Sequence, residues 1–303
     1  MGDFIEVFAN NIIPIFLVAA MGYGLRAGLK VDKKPLSTAS FYVLSPALVF
    51  TALVNSGLPG DELLRLSIFT IIVTLAMGLV GLIMGWLLKL PRVEVAALLM
   101  VLMFVNGGNY GLTLNELRYG SEGLARASVY FVVGTMILFT LGIFIASMGR
   151  TSWKESLLRL VRLPAFYAVV LGIIVYSLDY SVPTPIMRGL EITAAGAIPV
   201  MLLVLGMQIA DLRSLERIRL AVPASFVRLL VAPVIAVLIA TLLNLDGLAR
   251  STSIIEASMP TAVITTIIAT EFNLRPAFVT STVVLSTLLS AFTLPLVITL
   301  LGL

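Results

Sequence analysis

Two short stretches rich in polar residues, glycine and proline lie in the middle of long apolar segments. The first runs from Asn106 to Gly111, and the second runs from Ser258 to Thr261. Inside a helix, each glycine costs about 1 kcal/mol relative to alanine, and a proline removes a backbone donor and clashes with the preceding turn. Both stretches therefore predict a helix that is broken at its middle. Within a bilayer, unwound backbone is tolerated only where it is buried in protein or lines a wet cavity, so a polar site is expected at the breaks.

The chemistry of such a site follows from the half-helix that begins after each break. Its first N–H groups have no partner inside the helix, and the positive end of its dipole lies at the break. Two such ends that face a common site favour an anion, and a carboxylate above all. The residues expected to contact this substrate are Asn106, Gly107, Gly108, Asn109, Tyr110, Gly111, Ser258, Met259, Pro260, Thr261, Pro46 and Gln208.

Two charged residues, Arg228 and Glu256, lie deep within apolar segments. From helix rise, Arg228 is roughly 16 Å from one end of its helix, and Glu256 is roughly 9 Å from the opposite end of its own. In a hydrocarbon core about 30 Å thick, their depths then differ by only about 5 Å, so the two could form an ion pair. Three interpretations stay open. The pair braces two helices, or Glu256 carries a coupling proton or cation with Arg228 as its modulator, or Arg228 binds the substrate directly.

The composition places these residues in a membrane protein. Of the 303 residues, 59% are hydrophobic and 12% are charged, whereas soluble domains average about 25% charged residues. Apolar segments long enough to cross the hydrocarbon core recur along the whole chain. We predict an all-α polytopic membrane protein with ten transmembrane helices, at about 6–26, 37–55, 63–88, 93–118, 123–148, 164–179, 188–211, 217–243, 250–272 and 275–302.

Missing residue types and motifs limit the function. The chain has no Cys and no His, which excludes disulfides, metals held by Cys or His, and catalysis by either residue. It has no GxxxxGK motif, so ATP is not the expected energy source. The net charge of +4 comes from basic residues scattered over short loops, which indicates membrane orientation rather than nucleic acid. We expect neither an enzyme nor a bound cofactor.

The distribution of Lys and Arg predicts the orientation, because cytoplasmic loops carry an excess of these residues. Every second connection between the predicted helices, starting with the first, belongs to one group, and this group carries fourteen Lys and Arg residues. They are Arg26, Lys30, Lys33, Lys34, Lys89, Arg92, Arg150, Lys154, Arg159, Arg162, Arg213, Arg217, Arg219 and Arg275. The opposite connections carry five: Arg65, Arg118, Arg126, Arg188 and Arg250. We therefore place the first group in the cytoplasm and both termini outside, in a plasma (bacterial inner) membrane.

The interruptions recur at a fixed offset. Pro199 follows Pro46, and Pro260 follows Gly107, by the same 153 residues. Five helices in each half is an odd number, so the second copy enters the membrane upside down, as in the inverted repeats of several transporter folds. The predicted repeats are residues 1–150 and 151–303, and paired interruptions in them indicate the binding site of a secondary transporter.

The sequence resembles the auxin efflux carrier family, which includes bacterial members and the plant PIN-type auxin carriers. The matching features are the run 106–111, Met259-Pro260-Thr261, Pro46-Ala47-Leu48-Val49-Phe50 and Arg228-Leu229-Leu230-Val231-Ala232-Pro233. The resemblance implies two inverted five-helix repeats, with broken helices 4 and 9 that cross, and a homodimer. It also implies a scaffold of helices 1, 2, 6 and 7, beside a mobile bundle of helices 3–5 and 8–10 that moves like an elevator.

Two departures from the plant members bear on the cargo. Only about 15 residues join helices 5 and 6, where the plant members have a long cytoplasmic loop, and Pro260-Thr261 stands where they have Pro-Gln. A small carboxylate such as malate or malonate is therefore the expected cargo, rather than auxin.

Other function classes compete with a carrier of a small organic anion. A sodium-coupled symporter or a cation/proton exchanger on a related inverted-repeat fold is the main alternative. Possible sodium ligands are Asn109, Ser258, Thr261 and Thr265, whereas an exchanger would be expected to place Asp residues near the crossing, which has none. A membrane enzyme would need a nucleophile–base pair, and a structural scaffold would need no breaks at mid-membrane. Proton coupling through Glu256 and sodium coupling both remain open.

Overall fold

The computed structural model describes residues 2–56, 58–147, 164–178, 180–211 and 217–303. The boundary between the two predicted repeats, at residues 150 and 151, lies outside these described residues. So do five of the basic residues used for the orientation: Arg150, Lys154, Arg159, Arg162 and Arg213.

The first half is built from α-helices with short π-helical turns between them. Its elements are α1 (Gly2–Val7), π1 (Phe8–Ile12), α2 (Ile13–Ala27), α3 (Lys33–Ala39), π2 (Ser40–Leu44), α4 (Ser45–Ser56), α5 (Gly60–Leu87), α6 (Arg92–Met103), π3 (Gly107–Leu112), α7 (Thr113–Ile137), π4 (Leu138–Gly142) and α8 (Ile143–Ala146).

The second half has the same character. Its elements are α9 (Pro164–Ser177), α10 (Thr184–Ala195), α11 (Ala197–Ala210), α12 (Ile218–Phe226), π5 (Val227–Val231), α13 (Ala232–Leu242), α14 (Gly247–Ala257), α15 (Ile264–Glu271) and α16 (Pro276–Leu301). No strand occurs among the described residues apart from one isolated bridge. The all-α prediction is confirmed for that part of the chain.

Within the described residues, seven helices are long and apolar enough to cross a membrane. They are Phe4–Ala27, Lys33–Asn55, Gly60–Leu87, Gly107–Ala146, Thr184–Ala210, Ile218–Leu242 and Pro276–Leu301. Their ends lie within four residues of the predicted ones, apart from the start of Gly107–Ala146. The chain is therefore a multi-pass membrane protein.

The difference between seven helices and the predicted ten lies at short or joined segments. Gly107–Ala146 contains Gly120, whose φ of 63° and ψ of −154° are not helical and are accessible to glycine because it lacks a Cβ. The segments α6, α14 and α15 are each too short to cross alone, and Phe166–Ser177 is a shorter apolar helix. The count of ten and the inverted repeat stay predictions.

Small residues let the first and seventh predicted helices pack backbone to backbone. A Cβ on Gly22 of α2 would overlap the carbonyl of Leu203, and one on Gly206 of α11 would overlap the carbonyl of Ala19. Without a hydrophobic driving force between helices in lipid, such close approach is a main source of packing energy.

Ion pairs at the helix ends tie neighbouring elements together. Asp211 accepts from Arg26 at 2.6 Å and from Lys33 at 2.6 Å, which joins the ends of α2, α3 and α11. The buried Glu94 pairs with Arg217 at 2.5 Å and with Arg275 at 3.2 Å, which joins α6 to the starts of α12 and α16. Partial burial raises the pKa of Asp211, but the hydrogen bonds and charges of Lys33 and Arg26 outweigh it, so this pKa lies below its ordinary value.

Candidate functional site

The two interrupted segments meet and bond to each other through their backbones. The chain leaves α6 at Met103 and re-enters a helix at Gly107, and it leaves α14 at Ala257 and re-enters one at Ile264. The amide of Asn106 donates to the carbonyl of Pro260 at 2.8 Å, and the amide of Ala262 donates to the carbonyl of Phe104 at 2.9 Å. Val105 and Thr261 thus form an antiparallel bridge between the two breaks.

Thr261 adds side-chain bonds to this crossing. Its hydroxyl donates to the carbonyl of Val101 at 2.8 Å, and its amide donates to the hydroxyl of Ser286 at 3.2 Å. An unpaired backbone group in the bilayer costs several kcal/mol. Each break therefore supplies partners that the other needs, and neither could unwind at this depth alone.

Arg228 holds the ends of both first half-helices. Its side chain is 0% exposed, and it donates to three carbonyls. Nη1 donates to Leu102 at 2.7 Å, Nε donates to Met259 at 3.2 Å, and Nη2 donates to Ala257. The carbonyls of Leu102 and Ala257 lie at the C-terminal ends of α6 and α14, where the helix dipole is negative, so a buried cation is well placed there.

The expected ion pair between Arg228 and Glu256 is not formed. No ion pair within 4.0 Å joins them among the described residues. The depth argument placed both residues at the crossing, but the guanidinium is already bonded to three carbonyls that an unwound helix end exposes. Helix rise alone could not anticipate those acceptors. Arg228 does brace the crossing, through carbonyls rather than through a carboxylate.

Glu256 lies on the other side of the same crossing and is also 0% exposed. The Nδ2 of Asn115 donates to its Oε1 at 3.1 Å and to the carbonyl of Gly111 at 3.0 Å. The carboxyl group fits only because positions 107 and 111 lack a side chain. A Cβ on Gly107 would lie 2.7 Å from Oε2, and one on Gly111 would overlap both oxygens.

A cavity of about 560 Å³ opens beside the crossing. Its polar lining includes Ser45, Asn106, Asn109 and Gln208, and its charged lining residues are Asp32, Lys33 and Lys34. Buried Nδ2 of Asn106 and buried Oε1 of Gln208 have no hydrogen-bond partner in the described part of the chain. A cavity of this size is ordinary for a small-molecule site.

The second half-helices begin at this cavity. Residues 106–109, at the start of π3, and residues 262–264, at the start of α15, all line it. Amides in the first turn of a helix have no partner inside the helix, and the helix dipole is positive there. The starts of both second half-helices therefore line one hollow, which also contains side-chain amide atoms without a partner in the described part of the chain.

The predicted site residues divide into two groups. Asn106, Gly107, Gly108, Asn109 and Gln208 line the cavity. The others do not line it: Tyr110, Gly111, Ser258, Met259, Pro260, Thr261, Pro46, Thr265, Glu256 and Arg228. In the second break, the lining is displaced along the chain to residues 262–264, because 258–261 are buried in the crossing itself.

The proposed sodium ligands are divided in the same way. Asn109 lines the cavity, whereas the hydroxyls of Ser258 and Thr265 each donate at 2.6 Å to a carbonyl of their own segment, Ile254 and Ala262 respectively. The Thr261 hydroxyl donates to the carbonyl of Val101 at the crossing. The four oxygens are therefore not gathered around one hollow.

The sequence interpretation did not single out several residues of the site. Asn115 contacts Glu256, and Ser45, Thr74, Tyr130, Phe131 and Lys34 line the cavity. A signal existed for Asn115, which lies one helical turn after Gly111 and so faces the same way. Ser45 directly precedes the predicted Pro46. For the rest, the sequence carries no local signal, because tertiary packing alone brings them to the cavity.

Comparisons with known proteins agree with this architecture. A family model described as membrane transport protein matches residues 147–298, just over half of the chain. An uncharacterized transporter of Methanothermobacter thermautotrophicus is 28% identical over 293 residues, which cover 95% of this chain and 96% of the relative. An uncharacterized transporter of Methanocaldococcus jannaschii is 24% identical over 296 residues, with 94% and 96% coverage. The chain thus belongs to the membrane transport protein family, the auxin efflux carrier family that its motifs resemble.

Proposed function

We propose that the protein is a secondary carrier of a small organic anion, held in the cavity at the starts of π3 and α15. One observation carries the proposal, namely that two helix N-termini line a single cavity of about 560 Å³. Backbone amides and the positive ends of helix dipoles select negative charge without needing a basic side chain. The amides of Asn106, Asn109 and Gln208 add hydrogen bonds that suit a carboxylate.

Charge favours an anion at the large cavity rather than at the smaller hollow. The lining of the large cavity includes Lys33 and Lys34, together with Asp32. A smaller hollow of about 270 Å³ is lined by the carboxylates Glu116, Glu122 and Glu191. Glu191 lies near the start of the span Thr184–Ala210, and the other end of this span leads to Asp211 beside Lys33, so Glu191 and Lys33 lie towards opposite ends of that span. In the orientation proposed from Lys and Arg, the large cavity faces the cytoplasm.

The contacts also support a division into a scaffold and a mobile bundle. Every ion pair between described residues joins elements of one set, either helices 1, 2, 6 and 7 or helices 3–5 and 8–10. Three aromatic pairs, in contrast, connect the two sets, and we call them the aromatic seam. Ring centroids are 6.0 Å apart for Phe16 and Tyr110, 6.0 Å for Phe8 and Phe292, and 6.2 Å for Phe41 and Phe139.

This aromatic seam suits elevator-like alternating access. When one set of helices shifts along the other, apolar contacts can re-form without the breaking of directional bonds. In this proposal the bundle carries the crossing and the bound anion past the scaffold. A homodimer and a plasma-membrane location belong to the same proposal.

Uptake into proteoliposomes tests the function. Purified protein should accumulate radiolabelled malonate or malate above the level of empty liposomes, with little change when choline replaces sodium. Asn109→Asp places a negative charge in the cavity at nearly constant volume and should reduce uptake more than tenfold.

Two controls sharpen that experiment. Glu122→Gln, at the smaller hollow, should retain uptake. Dependence of uptake on sodium would favour the symporter alternative, and full activity of Asn109→Asp would place the anion elsewhere.

A further inference from the structure

Glu256 is a buried carboxyl group without a counter-ion. It is 0% exposed, its Oε1 accepts from Asn115 at 3.1 Å, and its Oε2 has no hydrogen-bond partner among the described residues. No Lys or Arg nitrogen in that part of the chain lies within 4.0 Å of it. An isolated carboxylate is strongly unfavourable in such surroundings, so the neutral acid is the form that this place stabilises.

The neighbouring elements place no cation in contact with it. The elements packed against α14 are π3, α5, α7 and α13. Arg228 is committed to three carbonyls, and Tyr130 of α7 lies within electrostatic reach of both Arg228 and Glu256. These elements contain other ionisable residues. In π3 there is Tyr110, and the first turns of α5 contain Asp61, Glu62 and Arg65. Helix α7 contains Glu116, Arg118, Tyr119, Glu122 and Arg126, and the start of α14 has Asp246 and Arg250.

The carboxyl group of Glu256 packs against the turn at residues 107–109, which we propose binds the substrate. Gly107 belongs both to the cavity lining and to the surface against which Oε2 packs. Glu256 itself does not line the cavity. An anion held by the amides of residues 107–109 and a negative charge on Glu256 would thus face each other across one helical turn.

We propose that Glu256 is a proton-binding site and that it takes up a proton together with the anionic substrate. This inference rests on the proposed function. A proton from solvent binds Oε2 and forms an O–H bond, which removes the negative charge behind the substrate turn. No redox partner or further group is needed.

The coupling follows from electrostatics. At a separation of about 10 Å and an effective dielectric constant of about 20, one unit charge changes the binding constant of another by about tenfold. Protonation of Glu256 therefore strengthens anion binding, and a bound anion strengthens proton binding by the same factor, because such coupling is reciprocal. The carrier then moves the anion with a proton.

Binding and proton uptake can be measured together in detergent. Malonate is titrated into weakly buffered protein containing a pH-indicator dye, over a pH range in which malonate stays ionised. In the wild type, affinity should fall about tenfold across the titration of Glu256 as the pH rises, and binding should take up protons. Glu256→Gln should bind malonate with an affinity that does not depend on pH and should take up no proton. Glu116→Gln, a carboxylate at the smaller hollow, should behave like the wild type.

A second measurement keeps this inference separate from the proposed function. Infrared spectra of the substrate-free protein, recorded across the same pH range, should show the C=O stretch of a protonated carboxyl group that fades as the pH rises and is missing in Glu256→Gln at every pH. Failure of malonate and malate to bind would overturn the proposed function, while the infrared band would still decide the state of Glu256. Absence of that band, or unchanged proton uptake in Glu256→Gln, would overturn the proton site. Thermal stabilisation by sodium over choline that disappears in Glu256→Gln would overturn it too, because the carboxylate would then hold sodium.

Discussion

The backbone amide of Asn106 donates a 2.8 Å hydrogen bond to the carbonyl of Pro260. Because each residue lies in the break of a different helix, this bond makes the two breaks one structural unit. The unit is fixed further by Arg228, which reaches both half-helices that enter it. Disturbing one break should therefore disturb the other.

Replacing Pro260 tests this dependence. In Pro260→Ala, the restored N–H allows α14 to continue through the break, and the carbonyl of residue 260 would then leave Asn106. We expect uptake to fall more than tenfold while the protein still folds, as judged by size-exclusion chromatography. Pro295→Ala is the matched control, since Pro295 lies inside the continuous helix α16, and it should retain uptake. Normal kinetics in Pro260→Ala would contradict the model.

The close contact between Gly111 and Glu256 predicts that removing the carboxyl group restores the stability lost in Gly111→Ala. Gly111→Ala should lower the thermal unfolding temperature, because the new Cβ would overlap both carboxyl oxygens of Glu256. In the Glu256→Ala background, this overlap is gone, and the same substitution should cost little. A double-mutant cycle in detergent measures the difference. Equal costs in both backgrounds would show that the carboxyl group lies elsewhere.

Arg228 should be a stability residue. Arg228→Met leaves buried carbonyls without donors, at about 1–3 kcal/mol for each such acceptor, so a loss of several kcal/mol is expected in thermal unfolding. Arg228→Lys should recover part of it, since a lysine can donate but lacks the planar fork. The exposed Arg219 lies in α12, eight residues before the start of π5, and serves as the control through Arg219→Met. An unaffected Arg228→Met would argue against the brace.

Asp211 predicts an acid dependence of stability. Its pKa is lowered in the folded protein by Lys33 and Arg26 despite partial burial. Its contribution should thus be complete above the unfolded value of about 3.9 and be lost as the pH falls through the lower folded value. The stability gap between the wild type and Asp211→Asn, measured by thermal unfolding, should be constant from pH 7 to about 5 and close only in strong acid. If the stability gap closed near neutral pH, a group other than Asp211 would be responsible for the acid dependence.

The sequence predicted the positions of both breaks because glycine and proline act locally and their cost inside a helix is large. It also predicted that Asn106, Asn109 and Gln208 would lie at a common hollow. It misplaced the lining of the second break by a few residues, because the pairing of Val105 with Thr261 buries the expected ones. The sequence could not predict the partners of Arg228 either, since they are backbone carbonyls, which every residue type has.

The aromatic seam has a mechanical consequence. Phe8, Phe16 and Phe41 each face a ring on the opposite set of helices, and no ionic latch joins the two sets among the described residues. Rings in van der Waals contact lose that contact gradually as they slide, whereas a salt bridge breaks abruptly. Turnover of this protein should consequently respond to bilayer fluidity and temperature far more than to ionic strength.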